Sequence, residues 1–400
     1  MEDIEATGVG RVDGTWLQTL CQTLGRVNRV GVCAGETAAA ATLADWLVGE
    51  VVRQGGKVLQ FSLECPVQLS WAARVEELPV SVFVEPVEGR LYLHILDELG
   101  LPLEQDWERD LKMGRYPFKP TVKAEGEVPV AYSNRSEREW AQWAAKQATL
   151  RGLTLRRLRV AVGTSTAADR GVRAVLAALG CRLERTWRPG LPSFSGSHGG
   201  FRLTARDEKG AVLDAGQLLT LVSLIEMENG SGMVALPMWG SAAVNLVAAG
   251  HGGKVLRVGR DGSAARVNYA SQPWLWSAPS AAARICARMR TSGQSLDQLM
   301  QKTPRFSVWK RDVSLACGWG KVLEGLTGER PGERGAAGVR LRAGGGWVYL
   351  GPAEGHRGLR VVAEGPDLEL AAELCDQYAA QAAQIDESLR QQDIQGESEK

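Results

Sequence analysis

The chain has 400 residues, 44% of them apolar and 23% charged, a globular composition with enough apolar mass for several cores. Its 47 Lys and Arg against 46 Asp and Glu leave a net charge of +1, and without a polybasic block there is no electrostatic footprint for nucleic acid. No run approaches the roughly 18 apolar residues of a membrane span, and Met1-Glu2-Asp3 opens acidic with no apolar signal core behind it, so the expected compartment is the cytoplasm.

In chain order, residues 29–35 read as a buried strand. Leu43, Trp46, Leu47 and Val51 then recur at helical spacing from Thr37 to about Arg53, with Thr37 as a cap and Gly55-Gly56 as the stop. Strands are expected over 57–63, 80–84 and 90–96, before a turn at Gly100-Leu101-Pro102. A proline-bearing polar stretch leads to a helix over 137–149 that carries Trp140 and Trp143. A second unit follows: strand 159–163, helix 168–179, strand 181–187, a Gly/Ser-rich loop over 190–200, and a hairpin whose arms flank Asp207-Glu208-Lys209-Gly210. After a helix over 217–227, a third unit has strands at 233–237 and 254–258 around a helix at 242–249. A helix over 280–290 comes next. From Arg305 strand-like pieces alternate with Gly-rich turns, and a last helix starts at the Asp367 cap and ends near Ser388, with a polar, frayed tail beyond.

The return strands of the three units read almost alike: Gly55-Gly56-Lys57-Val58-Leu59, Leu179-Gly180-Cys181-Arg182-Leu183 and Gly252-Gly253-Lys254-Val255-Leu256. Such repetition implies several copies of one β-α-β unit, each burying a sheet under helices. The 7 cysteines lack C-x-x-C spacing and mostly sit in apolar runs, as small hydrophobes in a reducing compartment. The 13 tryptophans read first as core and interdomain filling, and second as anchors for a protein partner. His94, His198, His251 and His356 are too dispersed for a metal site or a triad, and there is neither a Walker A string nor a strand–G-x-G-x-x-G–helix site.

Several strings, in order over nearly the whole chain, resemble the phosphoglucomutase/phosphomannomutase (phosphohexomutase) superfamily. Leu93 to Leu103 is similar to the segment after that family's catalytic serine loop. Asp207-Glu208-Lys209-Gly210 with Asp214 to Leu219 is similar to the hairpin and helix after its metal loop. Gly253 to Gly259 resembles its third-domain strand, and Gly346 to Pro352 with Leu359 to Asp367 resembles its fourth-domain phosphate loop and the strand and helix after that loop. The resemblance implies an α/β fold of three repeated domains with mixed sheets, plus a smaller α+β C-terminal domain, around a central cleft. The implied boundaries are 1–150, 151–230, 231–304 and 305–388, with a polar tail over 389–400.

The family moves a phosphoryl group between hydroxyls of a sugar phosphate, using a phosphoserine, magnesium and a cationic phosphate clamp. None of its loops survives here. The serine loop T-A-S-H-N-P becomes Val82-Phe83-Val84-Glu85-Pro86-Val87; the nearest hydroxyl, Ser81, lies in the apolar run, where its Oγ is expected to satisfy a backbone group. The metal loop D-G-D-G/A-D-R becomes Ser197-His198-Gly199-Gly200-Phe201-Arg202, matching only at Arg202. The sugar loop G-E-x-S-G-H falls at Asn268-Tyr269-Ala270-Ser271-Gln272-Pro273 and loses its glutamate; Trp274 and Trp276 follow in a strand-like piece, as packing before sugar stacking. The phosphate loop R-P-S-G/N-T-E-P becomes Gly351-Pro352-Ala353-Glu354-Gly355-His356-Arg357. The early G-R-D-T-R string becomes Ala34-Gly35-Glu36-Thr37-Ala38, losing both arginines.

The expectation is therefore a phosphohexomutase-like pseudoenzyme with no catalytic residues, no metal ligands and no cofactor, although the family implies magnesium. Three readings stay open. One is a regulatory or scaffold protein in carbohydrate metabolism, pairing with an active mutase or a sugar nucleotidyltransferase. The second is a sensor of hexose phosphate or another anion through Arg202, His356, Arg357 and Arg360. The third is an active intramolecular phosphotransferase with a rearranged site. Neither nucleic acid nor membrane is expected as a partner.

Overall fold

A computed structural model gives the fold, described here for residues 4–6, 10–27, 29–103, 129–148, 153–258, 263–304, 306–328, 332–335, 338–353 and 358–398. The chain divides into two compact units, Met1–Ile225 with Ala270–Lys302, and Glu226–Tyr269 with Thr303–Lys400.

The first unit opens with β1 (Ile4–Ala6) and β2 (Gly10–Val12), then α1 (Gly14–Leu24), β3 (Val30–Ala34), α2 (Ala38–Arg53), β4 (Val58–Gln60), α3 (Pro66–Val75), β5 (Val80–Val87), β6 (Arg90–Asp97) and β7 (Val130–Tyr132). These strands form one mixed sheet in the order β2-β1-β6-β5-β3-β4-β7. Thr37 caps α2 as expected, its hydroxyl accepting from Ala40 N at 3.2 Å. One face of the sheet presents Val80, Val82, Val84, Leu91, Leu93 and Ile95 to α1 and α2. Period-2 alternation puts Ser81, Phe83, His94 and Leu96 on the other face, also buried, where α3 packs against β5.

A second mixed sheet, in the order β12-β11-β10-β8-β9, comes from α4 (Glu137–Ala148), β8 (Arg159–Val162), α5 (Ala167–Ala178), β9 (Arg182–Glu184), β10 (Ser193–Ser197), β11 (Arg202–Arg206) and β12 (Val212–Leu213). The expected loop over 190–200 instead contains the strand β10 at Ser193–Ser197. Its Gly/Ser composition hides a packing requirement: a Cβ on Gly196 would lie 3.1 Å from the Ala168 carbonyl oxygen. The buried Asp169 carboxylate accepts from Ser195 Oγ at 2.8 Å and from Gly196 N at 3.0 Å. Small residues let this strand approach the start of α5.

The two sheets also share a turn. Asp97 Oδ1 accepts from Leu99 N and Leu101 N, both at 2.9 Å, and Asp207 Oδ1 accepts from Lys209 N and Ala211 N, both at 2.9 Å. The sequence D-E-x-G thus builds the same Asx-type turn at the end of β6 and after β11.

The chain continues through α6 (Ala215–Glu228), β13 (Met233–Pro237), α7 (Ala243–Gly250), β14 (Lys254–Val258) and α8 (Ser263–Ser271), then adds α9 (Ala278–Ser292) and α10 (Leu296–Met300) to the first unit. There α9 packs on both α4 and α5, and Trp140 is fully buried. The last stretch holds β15 (Ser307–Ser314), α11 (Trp319–Thr327), β16 (Gly332–Gly335), β17 (Gly338–Ala343), β18 (Gly346–Pro352), β19 (Gly358–Gly365) and α12 (Leu368–Ser398). In the second unit β13 and β14 form a parallel pair, and an antiparallel sheet runs β15-β19-β18-β17-β16. Val339, Leu341, Val348, Leu350 and Val361 face Val322, Leu326, Leu374, Tyr378 and Ala382 of α11 and α12. Asp367 Oδ1 caps α12, accepting from Leu370 N at 2.8 Å, and the helix runs on to Ser398, ten residues past its expected end at 388.

The other face of that sheet carries a buried ion pair. Arg340, 2% exposed, donates to Glu364 Oε2 at 3.2 Å and to the carbonyls of Met238 and Gly240. The same carboxylate oxygen accepts from Ala242 N at 2.6 Å, at the start of α7. A buried charge is tolerable only while paired. Arg340→Ala should therefore lower stability by about 3–5 kcal/mol, and Arg340→Met with Glu364→Gln should recover much of it. Urea unfolding of the three proteins checks this.

Candidate functional site

The segment aligned with the family's serine loop is not a loop. Val82 to Val87 all belong to β5, whose pairing with β6 continues unbroken to Val87–Arg90. Val84, at the nucleophile's place, is 0% exposed and pairs with Ala34 and Leu93. Glu88 (φ 48°) and Gly89 (φ 82°) then reverse the chain in two residues. Positive φ at both central residues is the type I′ pattern that suits the twist of flanking strands. Ser81 is wholly buried, and its Oγ has no hydrogen-bond partner among the described residues. This corrects the expectation that it satisfies a backbone group. It lies in mid-sheet opposite Gly31, where a Cβ would come within 2.4 Å of Oγ; the ladder already pairs the neighbouring backbone.

The segment aligned with the metal loop is likewise a tight connection. His198, Gly199 and Gly200 all have positive φ (51°, 64° and 89°) between β10 and β11. A Cβ on Gly199 would lie 2.5 Å from Pro66 Cγ, and one on Gly200 would lie 2.7 Å from Val67 Cγ1, so the turn rests on the first residues of α3. Arg202 Nη1 donates to His198 Nε2 at 3.3 Å, and Ser197 Oγ stands 3.2 Å from His198 Nδ1. Magnesium needs hard oxygen ligands, normally carboxylates. This turn offers imidazole, hydroxyl and guanidinium groups, so its residues do not fit that ion. Among the described residues no group of three His, Cys, Asp or Glu is placed to hold a metal.

Near these two turns lies a polar pair, His94 buried and Glu85 half-buried, that the sequence did not single out. His94 Nε2 and Glu85 Oε2 are 2.6 Å apart on adjacent strands. Tyr92 lies beside the imidazole with a centroid distance of 4.8 Å, Phe201 follows at 6.1 Å, and Trp276 lies 6.3 Å beyond Phe201. The file of rings joins the first sheet to the metal-loop turn and to the turn before α9. Alternation along β5 and β6 put Glu85 and His94 on one face, but nothing local signalled that Phe201 would reach them.

Ligands in open α/β sheets gather at the carboxyl ends of parallel strands. Here those ends are acidic. Glu36 follows β3, Glu64 follows β4 and Glu137 follows β7. Arg170 bridges the first two, with Nε 2.7 Å from Glu64 and Nη2 3.1 Å from Glu36. Burial, with the Glu64 charge second, raises the Glu137 carboxyl above the ordinary carboxylate range.

Of the four candidate anion-binding residues, Arg202 lies in the first unit and Arg360 in the second. Arg360 makes a two-pronged pair with Asp312 across β19 and β15, Nε and Nη2 each 2.8 Å from a carboxylate oxygen. His356 and Arg357 fall outside the described residues. The sugar-loop counterpart is helical: residues 268–271 end α8, and Pro273–Leu275 form a 3-10 turn, not a strand-like piece. Trp276 is buried, and Trp274 packs under the Arg284 guanidinium at 4.2 Å. Pro273 at the start of the turn fixes the chain in a helical bend, which strand-like alternation of the two tryptophans concealed.

The Glu137 shift has a definite sign. A carboxyl held above its unfolded pKa binds its proton more tightly folded, so stability falls as pH rises through that window. Glu137→Gln should unfold at a higher temperature than the parent at pH 7, and the two should converge below about pH 4, near the reference carboxylate value. Thermal unfolding at both pH values tests this.

No protein-family model matches the chain, and no curated protein matches it in sequence. Solved structures do. A phosphoglucomutase/phosphomannomutase family protein from Burkholderia thailandensis aligns with a TM-score of 0.66 at 12% identity, over 93% of this chain and 94% of that one. Parafusin, a phosphoglucomutase from Paramecium, aligns at 0.59 and 11% identity over 93% and 91%. The N-acetylphosphoglucosamine mutase of Aspergillus fumigatus, solved with GlcNAc-6P and magnesium, aligns at 0.51 and 9% identity over 93% of each chain. Likeness at this level of identity speaks for architecture alone: the chain has the phosphohexomutase fold.

Proposed function

We propose that the chain is a phosphohexomutase-like protein that does not transfer phosphoryl groups, and that it acts as a cytoplasmic regulatory or scaffold protein in carbohydrate metabolism. One observation carries this reading: at the place of the nucleophile stands Val84, buried in the continuous central strand β5. A serine nucleophile has to be exposed beside its phosphate donor. Three further features support it. The turn aligned with the metal loop offers no carboxylate, and the strand ends that would meet a phosphate carry Glu36, Glu64 and Glu137. Arg360, the described cation nearest the former phosphate loop in sequence, is engaged by Asp312. That favours a protein partner, such as an active mutase or a sugar nucleotidyltransferase, over an anion sensor.

With magnesium and a hexose 1,6-bisphosphate activator, the purified chain should interconvert hexose 1- and 6-monophosphates no faster than buffer. Labelled bisphosphate should leave no phosphate on it. Turnover that disappears in Ser81→Ala would overturn the proposal. Hexose monophosphates should also leave the melting temperature unchanged. A shift lost in Arg202→Ala or Arg360→Ala would replace the scaffold reading with the sensor.

A further inference from the structure

Residues 156–206 hold ten arginines and no lysine against two carboxylates, Asp169 and Glu184. That stretch is net +8, so the rest of a chain whose total is +1 carries −7. Folding gathers six of the ten along one margin of the second sheet, all of them exposed: Arg156, Arg159, Arg182, Arg185, Arg188 and Arg206. Arg159 and Arg182 open β8 and β9 and stand side by side in the parallel ladder. Arg156 reaches the turn before Arg182, where a Cβ on Gly180 would lie 3.2 Å from its Cγ. Glu184 Oε1 accepts from Arg159 Nη2 and, at 2.8 Å, from Arg188 Nη2. The Arg206 guanidinium lies 5.0 Å from the ring centre of Trp187, whose indole N–H donates to Asp207 O at 2.9 Å. The neighbouring acids Asp207 and Glu208 are engaged by backbone N–H groups. Among the described residues no carboxylate pairs with Arg156, Arg182 or Arg185. Strand β9 is also the outer strand of its sheet, paired there on one side only.

We propose that this arginine belt is a docking surface for an extended, carboxylate-rich segment of a partner protein. The planar fork of arginine matches a carboxylate with two parallel hydrogen bonds. One carboxylate is already seated in the belt, that of Glu184, and the Arg159 hydrogen bond is the largest cause holding its pKa below the ordinary range. An extended segment beside β9 sets alternate side chains on the face of Arg159 and Arg182, while its backbone can continue the sheet. A long phosphate polymer has no such use for a strand edge. Beyond the belt it also meets a chain of net −7, which repels it. Arg206 ends β11, and the turn carrying Arg202 lies at that strand's other end. The belt thus serves the chain whether or not phosphoryl groups are transferred.

The test is fluorescence anisotropy of a labelled decaglutamate peptide with the native full-length chain, at low and at physiological salt. The peptide should bind, and salt should weaken it, because exposed charges are screened. Arg156→Glu with Arg182→Glu should weaken binding by roughly tenfold at low salt. Lys146→Glu with Lys310→Glu, an equal change of net charge at exposed residues outside the belt, should leave it near the parent's. Arg156→Gln with Arg182→Gln repeats the loss without adding charge, and unchanged melting temperatures show that the variants fold. No binding by the parent, or an equal loss in the belt and control variants, would overturn the proposal. So would a single-stranded RNA of the same length binding more tightly than decaglutamate, which would make the belt a nucleic-acid surface. None of these readouts depends on an assay of phosphoryl transfer.

Discussion

Strand β5 is the constraint around which the first unit is organised. It is the middle strand of seven, with three neighbours on each side. Both its faces are buried, valines toward α1 and α2, and Ser81 and Phe83 toward α3. A strand in that position gains most when its ladder is uninterrupted, because each backbone group it pairs would otherwise be orphaned among apolar side chains. Carrying the ladder on to Val87 and reversing at Glu88-Gly89 satisfies that demand. The same economy governs the turn at His198 to Gly200, which is pressed against Pro66 and Val67. At both places close packing sets the path of the chain.

Much of this was legible in the residues. The Thr37 cap and the Gly55-Gly56 stop framed α2, and the Asp207 hairpin and the Asp367 cap declared themselves through local chemistry. These signals work because cap and turn residues satisfy backbone groups within a few positions of themselves. The missed elements lack that self-sufficiency. Helix α3 is buried on every face from Pro66 to Ala73, so no amphipathic period marks it. Strand β10 is built of serine and glycine because Ala168 and Asp169 crowd it.

The candidate site divides in the same way. The expected departures from the family's serine, aspartate and arginine strings rest on residue identity alone, which the sequence displays without any folding. What stands in their place does depend on it. The Glu85–His94 pair and the rings of Phe201 and Trp276 come from three separate stretches of the first unit, and only folding brings them together. Arg360 looked available for an anion, yet strand register sets Asp312 directly opposite it.

Glu364 has a consequence for how this protein persists. Helix amino termini attract anions, and a fold with such a position vacant draws part of its stability from whatever metabolite fills it. In the second unit the chain supplies its own carboxylate to the amino end of α7, already anchored by Arg340. That unit carries a resident counter-ion, so at this position its endurance in the cell is set by the polypeptide and not by the rise and fall of a metabolite pool.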